Sequence, residues 1–132
     1  MQTTTRLCAA LALTVSLSST AFAAGDHAHG HEHKPLHGGI VVEANDMDYE
    51  LVAKPDVITL HLRDHGKPAK TEGVSAKLTL LNGTEKSEAM LVSTGEGKLE
   101  GKGAFKVAAG TKVVALVTLP GKKAANVRFV VK

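Results

Sequence analysis

With 132 residues and no internal repeat, the chain has room for one domain. Its formal net charge of +3 comes with lysines scattered along the chain, which excludes the concentrated basic face that nucleic-acid binding uses. Aromatic residues make up only 3% of the sequence, so stacking platforms for single strands are few as well.

Residues 1–23 have the layout of a secretory signal peptide. Arg6 supplies the positive region, Leu7 to Leu17 the short apolar core, and Ala21-Phe22-Ala23 the small-x-small cleavage site. The apolar core is too short to span a bilayer as a mature helix, and no later stretch is a candidate. The expectation is an exported protein, periplasmic or secreted, with no mature transmembrane segment. Cleavage after Ala23 removes Cys8, the single cysteine, and leaves packing alone to stabilise the fold where disulfides could form.

Residues 24–36 hold small, charged and histidine side chains with almost nothing apolar. Such a segment cannot bury enough surface to offset the entropy of ordering, which predicts a flexible, disordered tail. The stretch from Gly25 to Gly39 contains five of the seven histidines. Of these, His27, His29, His31 and His33 follow strict two-residue spacing. In an extended backbone alternate side chains point the same way, about 7 Å apart, so a slight bend brings neighbouring imidazoles onto one ion. Neutral imidazole suits Zn, Cu(II), Ni and Co, and Asp26 or Glu32 can add an oxygen donor. Ordering the tail on binding costs affinity, which predicts exchangeable stoichiometry, loose selectivity and a buffering or handing-over role. The competing reading is a solvating linker whose histidines are compositional only. A third is a pH-responsive tail whose imidazoles charge together below about pH 6.5.

From Gly38 the pattern changes to short runs of period two. Ile58, Leu60 and Leu62 alternate with polar neighbours, as do Val74, Ala76, Leu78 and Leu80, and then Val127, Phe129 and Val131. The spacing predicts strands near 39–44, 47–53, 57–63, 73–81, 87–93, 97–105, 111–119 and 124–131. Turn chemistry at Lys54-Pro55-Asp56, Asn82-Gly83, Gly95-Glu96-Gly97 and Pro120-Gly121 separates them. Val113 to Val117 is apolar on both faces and reads as a central strand. The glycine-rich run 95–103 reads as a flexible edge. Seven to eight short strands over 37–132 predict an all-β domain, an immunoglobulin-like two-sheet sandwich, with a small barrel as the alternative.

Of the remaining histidines, His37 joins the run as a candidate metal ligand, whereas His61 and His65, like Asp26 and Glu32, are weaker candidates. His37 adjoins Gly38-Gly39 and reads as a ligand bridging tail and domain, or as the end of the linker. His61 falls on the outward face of its strand and His65 in the turn that follows. Met47 and Met90 could be soft donors for Cu(I), although core filling is the favoured role for both.

His37-Gly38-Gly39, Tyr49-Glu50-Leu51-Val52, Leu60 to Asp64 followed by Gly66-Lys67-Pro68, and Ala125 to Phe129 together give the chain a resemblance. It resembles small exported β-sandwich proteins with a His-rich leader associated with heavy-metal efflux, and is similar to a module of periplasmic metal-efflux adaptor subunits. The resemblance covers residues 27–131 and implies a periplasmic metal-handling accessory, with a heavy-metal efflux complex as partner. The sequence contains no nucleophile motif, so the expectation is a binding protein rather than an enzyme. The alternative is an envelope interaction module, in which a sheet edge docks a partner and the tail is a spacer.

Overall fold

The computed structural model describes residues 33–132. The predicted leader, together with Asp26, His27, His29, His31 and Glu32, lies outside the described residues.

The period-two runs form strands, and each buries the face its sequence marks as apolar. The strands are β1 (Ile40–Ala44), β2 (Met47–Ala53), β3 (Val57–Asp64), β4 (Lys67–Pro68), β5 (Ser75–Asn82), β6 (Glu85–Gly95), β7 (Lys98–Lys102), β8 (Lys112–Val117) and β9 (Ala125–Val130). Among the described residues there is no helix, and so none long and apolar enough to cross a membrane. The core is filled by Met47, Tyr49 and Leu51 from β2, Ile58, Leu60 and Leu62 from β3, and Leu78 and Leu80 from β5. Leu91, Leu99, Val113, Val127 and Phe129 complete it from the later strands. Period two is thus a physical consequence of one face meeting the core and the other looking outward.

The all-β expectation holds, but the two-sheet sandwich does not describe the pairing. All strands belong to one antiparallel sheet ordered β1-β2-β3-β7-β6-β5-β8-β9, with β4 appended to β3. The ends of this path, β1 and β9, approach each other, so the sheet curls nearly closed into a barrel. Local hairpins set six of the ladders, while β3–β7 and β5–β8 join strands far apart in sequence. Those two ladders make the sheet continuous, and a single curled sheet encloses a core without needing a second layer.

Three local expectations need correction. β7 is paired on both sides, by β3 and β6, so the 95–103 stretch is interior rather than a flexible edge. There is no room for a side chain at Gly101, where a Cβ would stand 2.7 Å from the Met90 carbonyl oxygen. β8 is paired on both sides, by β5 and β9, as a central strand is, but its outer face is not buried: Leu116 there is 42% exposed. Met47 fills the core, whereas Met90 points outward and is 59% exposed.

Two tight hairpins frame the site. β1 and β2 are joined by Asn45-Asp46, and β3 and β4 by His65-Gly66, all four residues at positive φ. Two left-handed residues in succession make a type I′ turn, whose twist matches that of the strands it joins.

Candidate functional site

The outer face of β1, β2 and β3 carries polar side chains in cross-strand rows. Glu43, Asp48 and Arg63 stand opposite one another in one row. Val41, Glu50, His61 and Lys98 form the next, with Lys98 contributed by β7. Alternation sends Asp48 and Glu50 outward, yet both are buried, because residues 33–39 cross the sheet on top of them.

Glu50 anchors that crossing, its side chain 0% exposed. Its Oε1 accepts the backbone N–H of His37 at 2.7 Å and of Gly39 at 3.0 Å. Its Oε2 accepts the N–H of Leu36 at 3.0 Å and His37 Nδ1 at 3.0 Å. A carboxylate only accepts, so His37 carries its proton on Nδ1. Burial by itself raises a carboxyl pKa. Here the His37 ring and the amides of Gly39, His37 and Leu36 overcome that effect and lower Glu50 to about 2.

The His-Gly-Gly start has two separate causes. Gly38 adopts φ +73°, a conformation that favours glycine. At Gly39 a Cβ would lie 2.4 Å from the Leu51 carbonyl oxygen and 2.9 Å from Glu50 Cγ. Only a bare backbone passes close enough to the sheet to deliver its amide to Glu50.

The His37 ring lies flat on that of His61, with centroids 3.5 Å apart and planes 2° from parallel. Imidazole lone pairs lie in the ring plane, so those of two parallel rings do not meet at one ion. This pair is a stacked clasp over the Glu50 row, not a two-nitrogen ligand set. Burial lowers the His61 pKa, and the neighbouring charge of His37 adds to the effect; Glu50 opposes it, while Lys98 and Arg63 reinforce it.

His33 occupies the adjacent row. Its Nδ1 is 2.6 Å from Asp48 Oδ1 and its Nε2 is 3.2 Å from Glu43 Oε2. Arg63 Nη2 donates to the Lys34 carbonyl at 3.0 Å and lies 3.8 Å from Asp48 Oδ2. Arg63 Nε has no hydrogen-bond partner among the described residues. The backbone just after His33 is thereby pinned, and among the described residues contact with the sheet is already made at His33, ahead of the boundary at residue 37 expected from composition.

His65 directly follows the last residue of β3. It occupies the β3–β4 turn, its side chain 71% exposed and bonded to Asp64. That bond and Lys122 together lower the Asp64 pKa. Of the histidines singled out in the sequence, the structure brings His33, His37 and His61 onto one face and places His65 in the β3–β4 turn. Among the described residues no group of three or more His, Cys, Asp or Glu side chains is arranged to hold a metal ion.

Sequence reasoning passed over Glu43, Asp48, Glu50 and Arg63. Their signal was present in Met47-Asp48-Tyr49-Glu50-Leu51, but outward acidic residues in a strand ordinarily face water. Comparison with family models, with curated proteins and with solved structures finds no match.

Proposed function

We propose that this protein is an exported, non-enzymatic transition-metal-binding accessory. It captures a divalent ion (Cu, Zn, Ni or Co) on the histidine run and buffers it or passes it to a heavy-metal efflux system. The observation that carries the reading is the strict two-residue spacing of His27, His29, His31 and His33, the last docked against the carboxylates of Asp48 and Glu43. A string of imidazoles is thereby tethered to a β platform at an acidic patch, a donor set suited to borderline divalent ions.

The test is calorimetric titration of Cu(II), Ni(II) and Zn(II) into the exported protein and into a version lacking residues 24–32. That deletion leaves the Glu50 clasp intact, which removal through residue 37 would not. The shortened chain should lose most of its capacity, and binding should fall as pH drops through the imidazole range, because protonated histidine does not ligate. Equal binding by both versions would remove the run from the mechanism.

A second reading, docking of an envelope partner by the sheet, is favoured by Met90, Val92 and Leu116. All three are exposed on the outer face of β5, β6 and β8, which residues 33–39 do not cross. Under that reading, Met90→Lys with Leu116→Lys abolishes the partner's association and leaves metal titrations unchanged.

A further inference from the structure

At one end of the barrel, the β3–β4 hairpin, the segment after it and the loop after β8 enclose a cleft of about 680 Å³. A smaller lobe of about 270 Å³ lies beside it, next to the β1–β2 turn, and Met47, Leu119 and Lys122 line both. Barrel mouths are a usual place for small-molecule sites, which span roughly 300 to 1,000 Å³. The two lobes differ in chemistry. Pro68, Ala69, Leu119 and Pro120 give the larger an apolar wall, and its charges of both signs, Lys67 and Lys70 against Asp64 and Glu72, offset one another. The smaller has no carboxylate among its lining residues. Its polar groups all donate: the Asn45 amide, the Tyr49 hydroxyl and the ammonium groups of Lys122 and Lys123. An anion is therefore favoured in the smaller lobe and an apolar body in the larger.

Tyr49 supplies a second observation. The residue is 1% exposed, and its hydroxyl donates to Met47 Sδ at 4.0 Å, a thioether being a weak acceptor. A buried donor with so poor a partner forfeits free energy that a charged oxygen would restore. Burial raises the Tyr49 pKa, so the hydroxyl keeps the proton it has to donate. Met47 has a long, unbranched and flexible side chain, so its sulfur can give way to a ligand oxygen. Lys122 lies 3.4 Å from Asp64, and an ammonium group has further N–H donors for a second anion.

We propose that this cleft binds a small amphipathic carboxylate of the medium-chain fatty acid type. Its head accepts hydrogen bonds from the Tyr49 hydroxyl and the Lys122 and Lys123 ammonium groups in the smaller lobe. Its apolar chain crosses Met47 and Leu119 and lies against Pro68 and Pro120 in the larger. The site is independent of the metal-binding reading and uses none of the histidine run.

The probe is octanoate, titrated into the exported protein and followed by the backbone amide resonances of residues 45–49 and 119–123. Octanoate should move both sets and raise the unfolding midpoint. Of the two controls, 1-octanol lacks the charge and inorganic phosphate lacks the chain, and each should bind at least about tenfold more weakly. Tyr49→Phe should weaken octanoate binding about tenfold, the worth of a hydrogen bond to a charged group. It should leave the midpoint without ligand in place, since the hydroxyl has only a sulfur partner to lose. Lys122→Ala combined with Lys123→Ala alters exposed positions and should weaken binding by about as much, with most of its salt dependence lost. That pair carries the test if Tyr49→Phe fails to fold. Absence of octanoate binding overturns the site, as does either control binding as tightly as octanoate. Wild-type affinity in Tyr49→Phe or in the lysine pair overturns it equally.

Discussion

Glu50 and Glu88 occupy comparable places in the sequence pattern and opposite places in the physics. Each is an outward-facing glutamate on a strand paired on both sides, Glu50 on β2 and Glu88 on β6. Over the outer face of β1–β3 the chain returns as residues 33–39 and covers Glu50 completely. Over β5, β6 and β8 nothing in the described residues returns, and Glu88 stays 48% exposed beside Lys77 at 3.1 Å. The same alternation therefore yields a buried, fully bonded carboxylate on one side of the barrel and a solvated ion pair on the other. What separates them is the cover and not the strand.

The widest gap between the two faces should appear on neutralising each glutamate. Lowering Glu50 from 4.5 to about 2 corresponds to about 3 kcal/mol of stability held by the ionised form. Glu50→Gln should lose about that much in urea unfolding at pH 7. The dependence on pH has a definite sign. The folded pKa lies below the unfolded one, so the contribution is complete above about pH 4.5 and is lost as pH falls toward 2. The wild-type protein should lose this increment across that interval, and Glu50→Gln should not. Parallel acid titrations of the two proteins would remove Glu50 from its role as anchor.

The cover itself can be lifted without touching any charge. Gly39→Ala puts a methyl group into the Leu51 carbonyl, a backbone atom that cannot step aside. The expected cost is about 2 kcal/mol, in the range of overpacked sites. Gly38→Ala meets no atom within 4 Å and is penalised only by its φ of +73°, at about 1 kcal/mol. If Gly39→Ala is as well tolerated as Gly38→Ala, close passage of the chain over the sheet is not what keeps Glu50 dry. A retained fold with a Glu50 pKa raised toward the ordinary carboxylate value would be the direct sign of a lifted cover.

How far these features could be read from the sequence follows the same division. Ile58-Leu60-Leu62, Ala76-Leu78-Leu80 and Val127-Phe129 advertise their strands because burial on one face demands alternation. Asn82-Gly83 and Gly95-Glu96-Gly97 advertise hairpins because those turns need particular backbone angles. The β3–β7 and β5–β8 ladders have no such marker, since pairing between distant strands is decided by global closure. A two-layer reading and a single curled sheet thus looked alike. Nor does anything in Asp48 or Glu50 announce that residues 33–39 lie across them. Only His37-Gly38-Gly39 carried a trace, two adjacent glycines at the point where the chain passes over Leu51. Met90 was misplaced for a related reason: a methionine in an alternating strand fits either face, and its partners across the sheet, here Lys77, decide.

The smallest expected effect completes the comparison. Glu88 makes its ion pairs on a surface where water competes for both charges, 3.1 Å from Lys77 and 3.9 Å from Lys86. Pairs of this kind add a few tenths of a kcal/mol and are screened by salt. Glu88→Gln should therefore change stability by less than about 0.5 kcal/mol at low ionic strength, and by less still in 1 M salt. The Glu50→Gln loss should persist in salt, because ions do not enter the space under residues 33–39. A Glu88 effect that approached the Glu50 effect and survived high salt would show that the open face is also covered in solution. The exposed Met90 and Leu116 beside it would then mark where that cover sits.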